Sequence, residues 1–172
     1  AESPEKFKIL VSEFIKDSDE VMEDLSDKYQ SRGKKPIVRY YSGQKGLRFI
    51  FMDVVTSLKK HDVFYRYTSN RDLKAVNKKY LPKDYREERD KKDLDRFVIS
   101  SAATAKQKKP RLERQIKTVP ENYGLFNHNI TQIIYGNKVA FLDYNTEVAM
   151  IIENKEIAEF QTVLFRMLYD KL

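Results

Sequence analysis

The chain has 172 residues, 41% hydrophobic and 34% charged, with five glycines, five prolines and no cysteine. This composition suits a helix-rich globular domain with its own core, and it excludes a disordered chain, disulfides, thiolate metal sites and a thiol nucleophile. No apolar run approaches the ~18 residues of a membrane span and no signal-peptide core opens the chain, so a cytoplasmic protein with no membrane partner is expected. The net charge of +7 fits an anionic partner, and equally a plain solvated lysine-rich surface. The chain opens on Ala1, so a longer parent protein is one expectation.

Ser3 and Pro4 start a helix that the pattern carries to about residue 31, with Phe7, Leu10, Val11, Phe14, Val21, Met22, Leu25 and Tyr29 on one stripe. Its length favours a linker or dimerisation seam, and "SRGKKP" ends it. Residues 1–33 are therefore read as linker and 34–172 as an α/β domain.

Residues 37–41 read as a strand, and Ser42 as the cap of a helix to about Lys60. "VFYRY" (63–67) is a second strand, followed by a polar turn and a helix from Leu73 to Tyr80. Pro82 opens another helix to about Asp93, read as solvated and laced with charge pairs, before the strand "RFVIS" at 96–100. A short strand follows at 115–119. The segments 129–134 and 138–144 form a hairpin around Gly136-Asn137. Residues 147–153 make a further strand, and 154–170 a last helix with Ile157, Phe160, Val163, Leu164 and Met167 inward. This order predicts a mixed β-sheet flanked by helices.

No catalytic constellation is legible. His61 and His128 are the two histidines, and neither has a second histidine at metal-ligand spacing. His61 sits where a cation favours a helix C-terminus, whereas His128, in the loop "FNHN", is the better site candidate. The turn Ser42-Gly43-Gln44-Lys45-Gly46 lacks the ending of a P-loop. Its simplest reading is structural: Gly43 supplies an unusual backbone angle and Gly46 a close approach of helix to sheet. Amides at that helix start could still hold an anionic group.

Strand ends in α/β sheets collect ligand contacts. The candidate ligand-binding residues are therefore Tyr41, Ser42, Gly43, Thr68, Ser69, Ser100, Ser101 and His128. A second reading takes the basic stretch 105–117, with Lys106, Lys108, Lys109, Arg111, Arg114 and Lys117, as a phosphate-backbone contact surface. No motif asks for a cofactor or metal.

"KKPIVRYYSGQKGLRFIFMDVV" resembles the opening of the effector domain of TrmB-type transcriptional regulators, where a "KPxVRYYEG" strand leads through glycine into a helix. "ITQIIYGNKVAFLDYNTEVAMIIENKEIAEFQTVLFRMLY" is similar to that family's closing hairpin, strand and helix. The N-terminal helix occupies the place of the family's linker. The resemblance implies a phospholipase-D-like fold, usually without phospholipase chemistry. It implies a ligand or protein effector, a homodimer through the N-terminal helix, and DNA contact through a winged helix that these 172 residues lack. Active members of that superfamily carry H-x-K-x-x-x-x-D; here Ile130, Gln132 and Asn137 fall at those positions, and no H-x-K occurs anywhere. Hydrolysis by that route is excluded, so a non-catalytic domain is expected. Ser42 stands where the family has glutamate.

Overall fold

The computed structural model describes Lys8, Val11, Ile15, Ser18 and Met22, and then residues 35–68, 79–106, 114–124 and 126–172. Contacts divide the chain into two units, Ala1–Lys35 and Pro36–Leu172. The five described residues of the N-terminal stretch are helical. The rest of the helix read over residues 3–31 lies outside the described residues, as does the helix read from Leu73, apart from Lys79 and Tyr80.

In the second unit the described residues form one sheet of seven strands. These are β1 (Ile37–Ser42), β2 (Val63–Tyr67), β3 (Asp95–Ser100), β4 (Arg114–Thr118), β5 (Ile130–Tyr135), β6 (Lys138–Asp143) and β7 (Val148–Glu153). The described helices are α1 (Gly43–Ser57), α2 (Tyr85–Lys91), α3 (Ala102–Lys106) and α4 (Lys155–Lys171), with a 3-10 turn at Glu121–Tyr123.

The strand order is β1-β7-β6-β5-β2-β3-β4. β2, β3 and β4 are parallel, and the other neighbours are antiparallel. The β5–β6–β7 meander thus lies between β1 and β2, and α1 makes the crossover past it. β1, β2, β3, β4 and β6 consequently run in one direction, which brings their C-terminal ends to one end of the sheet.

Side chains alternate across the sheet, so each strand feeds two cores. α1 buries Leu47, Ile50, Phe51, Val54 and Val55 against Phe64, Ile133, Ala140, Leu142, Ala149 and Ile151. On the opposite face Ala158, Phe165 and Tyr169 of α4 pack with Tyr65, Ile99, Ile134 and Val139. Central strands covered on both faces read as continuous apolar runs, which is why "IIY" in β5 shows no alternation. Gly136, at φ 53°, opens the two-residue turn between β5 and β6.

Three expectations are corrected. Ser42 ends β1 and makes no side-chain cap on α1; the Gly43 amide instead donates to the Glu147 carbonyl at 2.7 Å. The segment after Pro82 is a shorter helix, and it is not simply solvated, since Tyr85 and Arg89 are buried with the guanidinium 5.7 Å from the ring.

The largest correction concerns α4. Phe160, Val163 and Met167 are 61%, 63% and 59% exposed, although the pattern placed them inward, while Leu164 is half-buried and Ile157 packs against the core. The stripe through Ala158, Phe165 and Tyr169 faces the sheet because aromatic rings wait there. Phe165 lies 5.1 Å from Tyr65 and 4.9 Å from Tyr67, and Tyr169 lies 5.4 Å from Phe97. Asn154 fixes the start by accepting from the Ile157 amide at 3.0 Å.

Candidate functional site

The sheet end that collects five strand C-termini also collects most of the candidate polar residues. Thr68, Ser100 and Ser101 are buried there, and so are Thr104 and Thr131. The Thr68 amide donates to the Ile99 carbonyl at 3.0 Å, and the Val119 amide to the Ser100 carbonyl at 3.1 Å. Ser100 Oγ donates to the Ser101 carbonyl at 3.2 Å. Ser101 Oγ accepts from the Thr104 amide at 3.2 Å, so its hydroxyl starts the short helix α3 and serves as a cap. Ser69 lies outside the described residues. His128 is exposed in the bend before β5, at the same end.

Tyr41 and Ser42, on edge strand β1, and Gly43, at the start of α1, reach this end too. In the strand order β1 stands five positions from β3. At the usual strand spacing that is about 24 Å. One small ligand cannot bridge both groups directly, so the sequence-derived set splits in two.

A chain of side chains that the sequence reading missed joins the two groups. Arg66 projects from β2 on the α1 side of the sheet, with its guanidinium 5.5 Å from the Phe51 ring. Tyr144 lies beside it and beside Thr131. Burial pushes the Tyr144 phenol up, and the nearby Arg66 charge and Thr131 side chain oppose this. The Tyr144 ring is 5.3 Å from that of Tyr80. Tyr80 Oη donates to Glu147 Oε1 at 2.8 Å, and Lys79 Nζ pairs with the same oxygen at 2.5 Å. The Glu147 carbonyl in turn holds the Gly43 amide, and Glu147 is itself left-handed at φ 54°. A non-glycine residue in that region marks a position over-determined by its contacts.

The glycine turn is explained by geometry. Gly43 has φ 68°, in the region where side chains are rare. A Cβ on Gly46 would stand 2.9 Å from Tyr41 Cβ, so α1 crosses β1 at a distance only glycine allows.

The basic stretch is different in character. Lys108, Lys109 and Arg111 lie outside the described residues. Lys106 is exposed at the end of α3, and Arg114 starts β4 half-buried. Lys117 is committed elsewhere: its Nζ donates to the Tyr169 carbonyl at 2.7 Å and lies 4.6 Å from the Tyr169 ring. An ammonium capping the last turn of α4 is a helix-terminus contact, not a free phosphate ligand.

At the former motif positions, Ile130 is exposed, Gln132 donates to Gln161 at 3.0 Å, and Asn137 donates to Glu153 at 3.4 Å. Among the described residues no group of three or more His, Asp or Glu side chains could hold a metal ion, and no helix is long and apolar enough to cross a membrane.

No family model matches the sequence, and no curated protein matches it. Several solved structures are similar in fold, among them these two. One is TrmBL2, an archaeal chromatin protein whose structure shows a mode of DNA binding. It has a TM-score of 0.52 and 9% identity, over 97% of this chain and 66% of that one. The chain thus spans slightly less than two thirds of TrmBL2. The other is NucT from Helicobacter pylori, at TM-score 0.54 and 8% identity, over 79% of this chain and 97% of that one. At such identities the similarity shows the fold alone: a TrmB-like α/β architecture.

Proposed function

We propose that this chain is the non-catalytic effector portion of a TrmB-like transcriptional regulator. It takes up a small polar ligand at the sheet end bounded by Thr68, Ser100, Thr131 and Arg66, and passes the change to a DNA-reading winged helix. Two protomers pair through residues 1–33. The observation that carries this reading is the fold shared with TrmBL2 over nearly the whole chain. The motif resemblance at both ends of the domain supports it, and the lack of any H-x-K supports a non-catalytic role.

A ligand seated among buried hydroxyls, with Tyr144, Tyr80 and Glu147 behind them, acts on the β6–β7 turn and through the Gly43 amide on α1. Ligand energy spent on one arrangement of that chain shifts the population of protomer arrangements. The direct nucleic-acid reading is weaker, because Lys117 is withdrawn into the fold.

The test is a thermal-shift panel of monosaccharides, disaccharides and their phosphate esters on the full chain, with Arg66→Met and Ser100→Val beside it. A stabilising compound whose effect disappears in Arg66→Met supports the reading. A compound that stabilises both variants as well as the parent places the ligand elsewhere and overturns this site.

A further inference from the structure

α4 carries an apolar stripe that its own sheet does not use. Phe160, Val163 and Met167 are exposed and Leu164 is half-buried; Leu164 lies across the helix from Arg166, which bonds the Tyr65 hydroxyl at 2.9 Å on β2. The Leu164 edge of the stripe thus turns toward β7 and β1, while Val163 and Met167 face away from the sheet. There, among the described residues, no helix covers the same face of the sheet. Tyr40 stands opposite Met150, and Met150 opposite Phe141, so all three share the α4 face. Tyr40 is 67% exposed, and Val38 and Met150 are exposed as well. The bare strip is two strands, or about 10 Å, wide, which is the diameter of one helix.

The stripe is also symmetric about its own middle. It starts with Glu156, ends with Lys171, and has Val163 and Leu164 at the centre. In an antiparallel pair of α4 helices, Glu156 meets Lys171 of a second copy, Phe160 meets Met167, and Val163 meets Leu164. Each contact occurs twice about one two-fold axis. Glu156 and Lys171 are exposed, and neither forms an ion pair among the described residues.

We infer that α4 is an isologous dimer interface: a second copy's α4 lies antiparallel beside it, over the bare β7–β1 strip. Three independent features select a second copy as occupant. The strip has the width of one helix, the stripe has the apolar content such a slot needs, and the end charges complement only in the antiparallel self-pairing. The strip residues Val38, Tyr40, Met150 and Ile152 are uncharged, so two protomers of net charge +7 meet there without opposing like charges.

The cysteine-free chain allows a direct test on the full protein. Val163→Cys places a thiol next to the two-fold axis, within reach of its own copy. Oxidation should give a covalent dimer with Val163→Cys but not with the exposed control Lys91→Cys. Phe160→Cys mixed with Met167→Cys should cross-link, whereas Phe160→Cys alone should not. In sedimentation velocity Glu156→Lys or Lys171→Glu should each weaken the α4 contact by about tenfold, and the double reversal should restore it. Cross-linking of Val163→Cys no better than the control overturns the interface. So does a dimer indifferent to both single reversals, which would place pairing in residues 1–33 alone, and so does a chain that stays monomeric.

Discussion

Lys138 Nζ lies 2.9 Å from the carboxylate of Asp53, and the two side chains are only 14% and 15% exposed. Tyr135 donates its hydroxyl to the same carboxylate at 2.7 Å, and the ammonium also reaches Ser57 Oγ at 2.9 Å. One half-buried carboxylate thus ties α1 to the β5–β6 hairpin. Burial, and then the bond to Asp53, push the Tyr135 phenol far up, so it stays a donor throughout the ordinary pH range.

Removing one partner of this pair strands the other. Lys138→Met is expected to lower stability by about 2–3 kcal/mol in urea unfolding, and Asp53→Asn by a similar amount. The double variant Asp53→Asn/Lys138→Met should cost clearly less than the sum, because no uncompensated charge remains. Additive losses would show that the pair does not act as a unit.

Gly46→Ala should reverse the usual sign. An exposed glycine in a helix gains about 1 kcal/mol on becoming alanine. Here the new methyl meets Tyr41 Cβ at 2.9 Å and the Tyr41 carbonyl carbon at 3.1 Å, neither of which is the end of a flexible side chain. A loss of about 1–3 kcal/mol is expected, measured by denaturant midpoint. Equal or greater stability would mean that α1 can lift from β1 without penalty.

Glu153 gives the acid limb of stability a named contributor. Its hydrogen bond with Arg39 holds the carboxyl below its ordinary value; burial opposes this, and Asn137 and Lys138 assist it. A depressed carboxyl means that the unfolded chain binds the proton more readily. The stability it contributes is therefore full above the unfolded value near 4.5 and fades as pH falls through the folded value. Glu153→Gln should flatten the fall of melting temperature below about pH 4.5 and leave a small deficit at neutral pH. An unchanged acid limb would assign it to other carboxylates.

The strands were legible because their chemistry is local. "VFYRY" and "IIYGNKVAF" carry β-branched and aromatic runs around turn residues, and β2, β5 and β6 stand within a residue of the expected bounds. The face of α4 was not legible, since two apolar stripes run along it. Only the rings of Tyr65, Tyr67 and Phe97, which come from other strands, decide which one turns inward. The candidate site was half legible for the same reason. Thr68 and Ser100 could be found because strand ends are visible in sequence. Arg66, Tyr80, Tyr144 and Glu147 meet only through the order β5-β2 and the β6–β7 turn. No spacing announces a pairing of residues 67 apart, such as Tyr80 with Glu147.

Lys117 separates structural from nucleic-acid roles. Lys117→Gln loses the contact to the Tyr169 carbonyl and ring. A loss of about 1 kcal/mol is expected, measured by thermal or urea unfolding. A variant of unchanged stability with altered DNA affinity would reverse the assignment.

The most direct measurement is fluorescence anisotropy of the full 172-residue chain with a labelled DNA duplex, titrated at several salt concentrations. An effector domain that leaves DNA to another domain shows negligible binding at about 0.15 M salt. Tight binding that falls steeply with salt, weakened by charge removal at Lys106 or Arg114, would contradict the account and make this domain itself a phosphate-backbone binder.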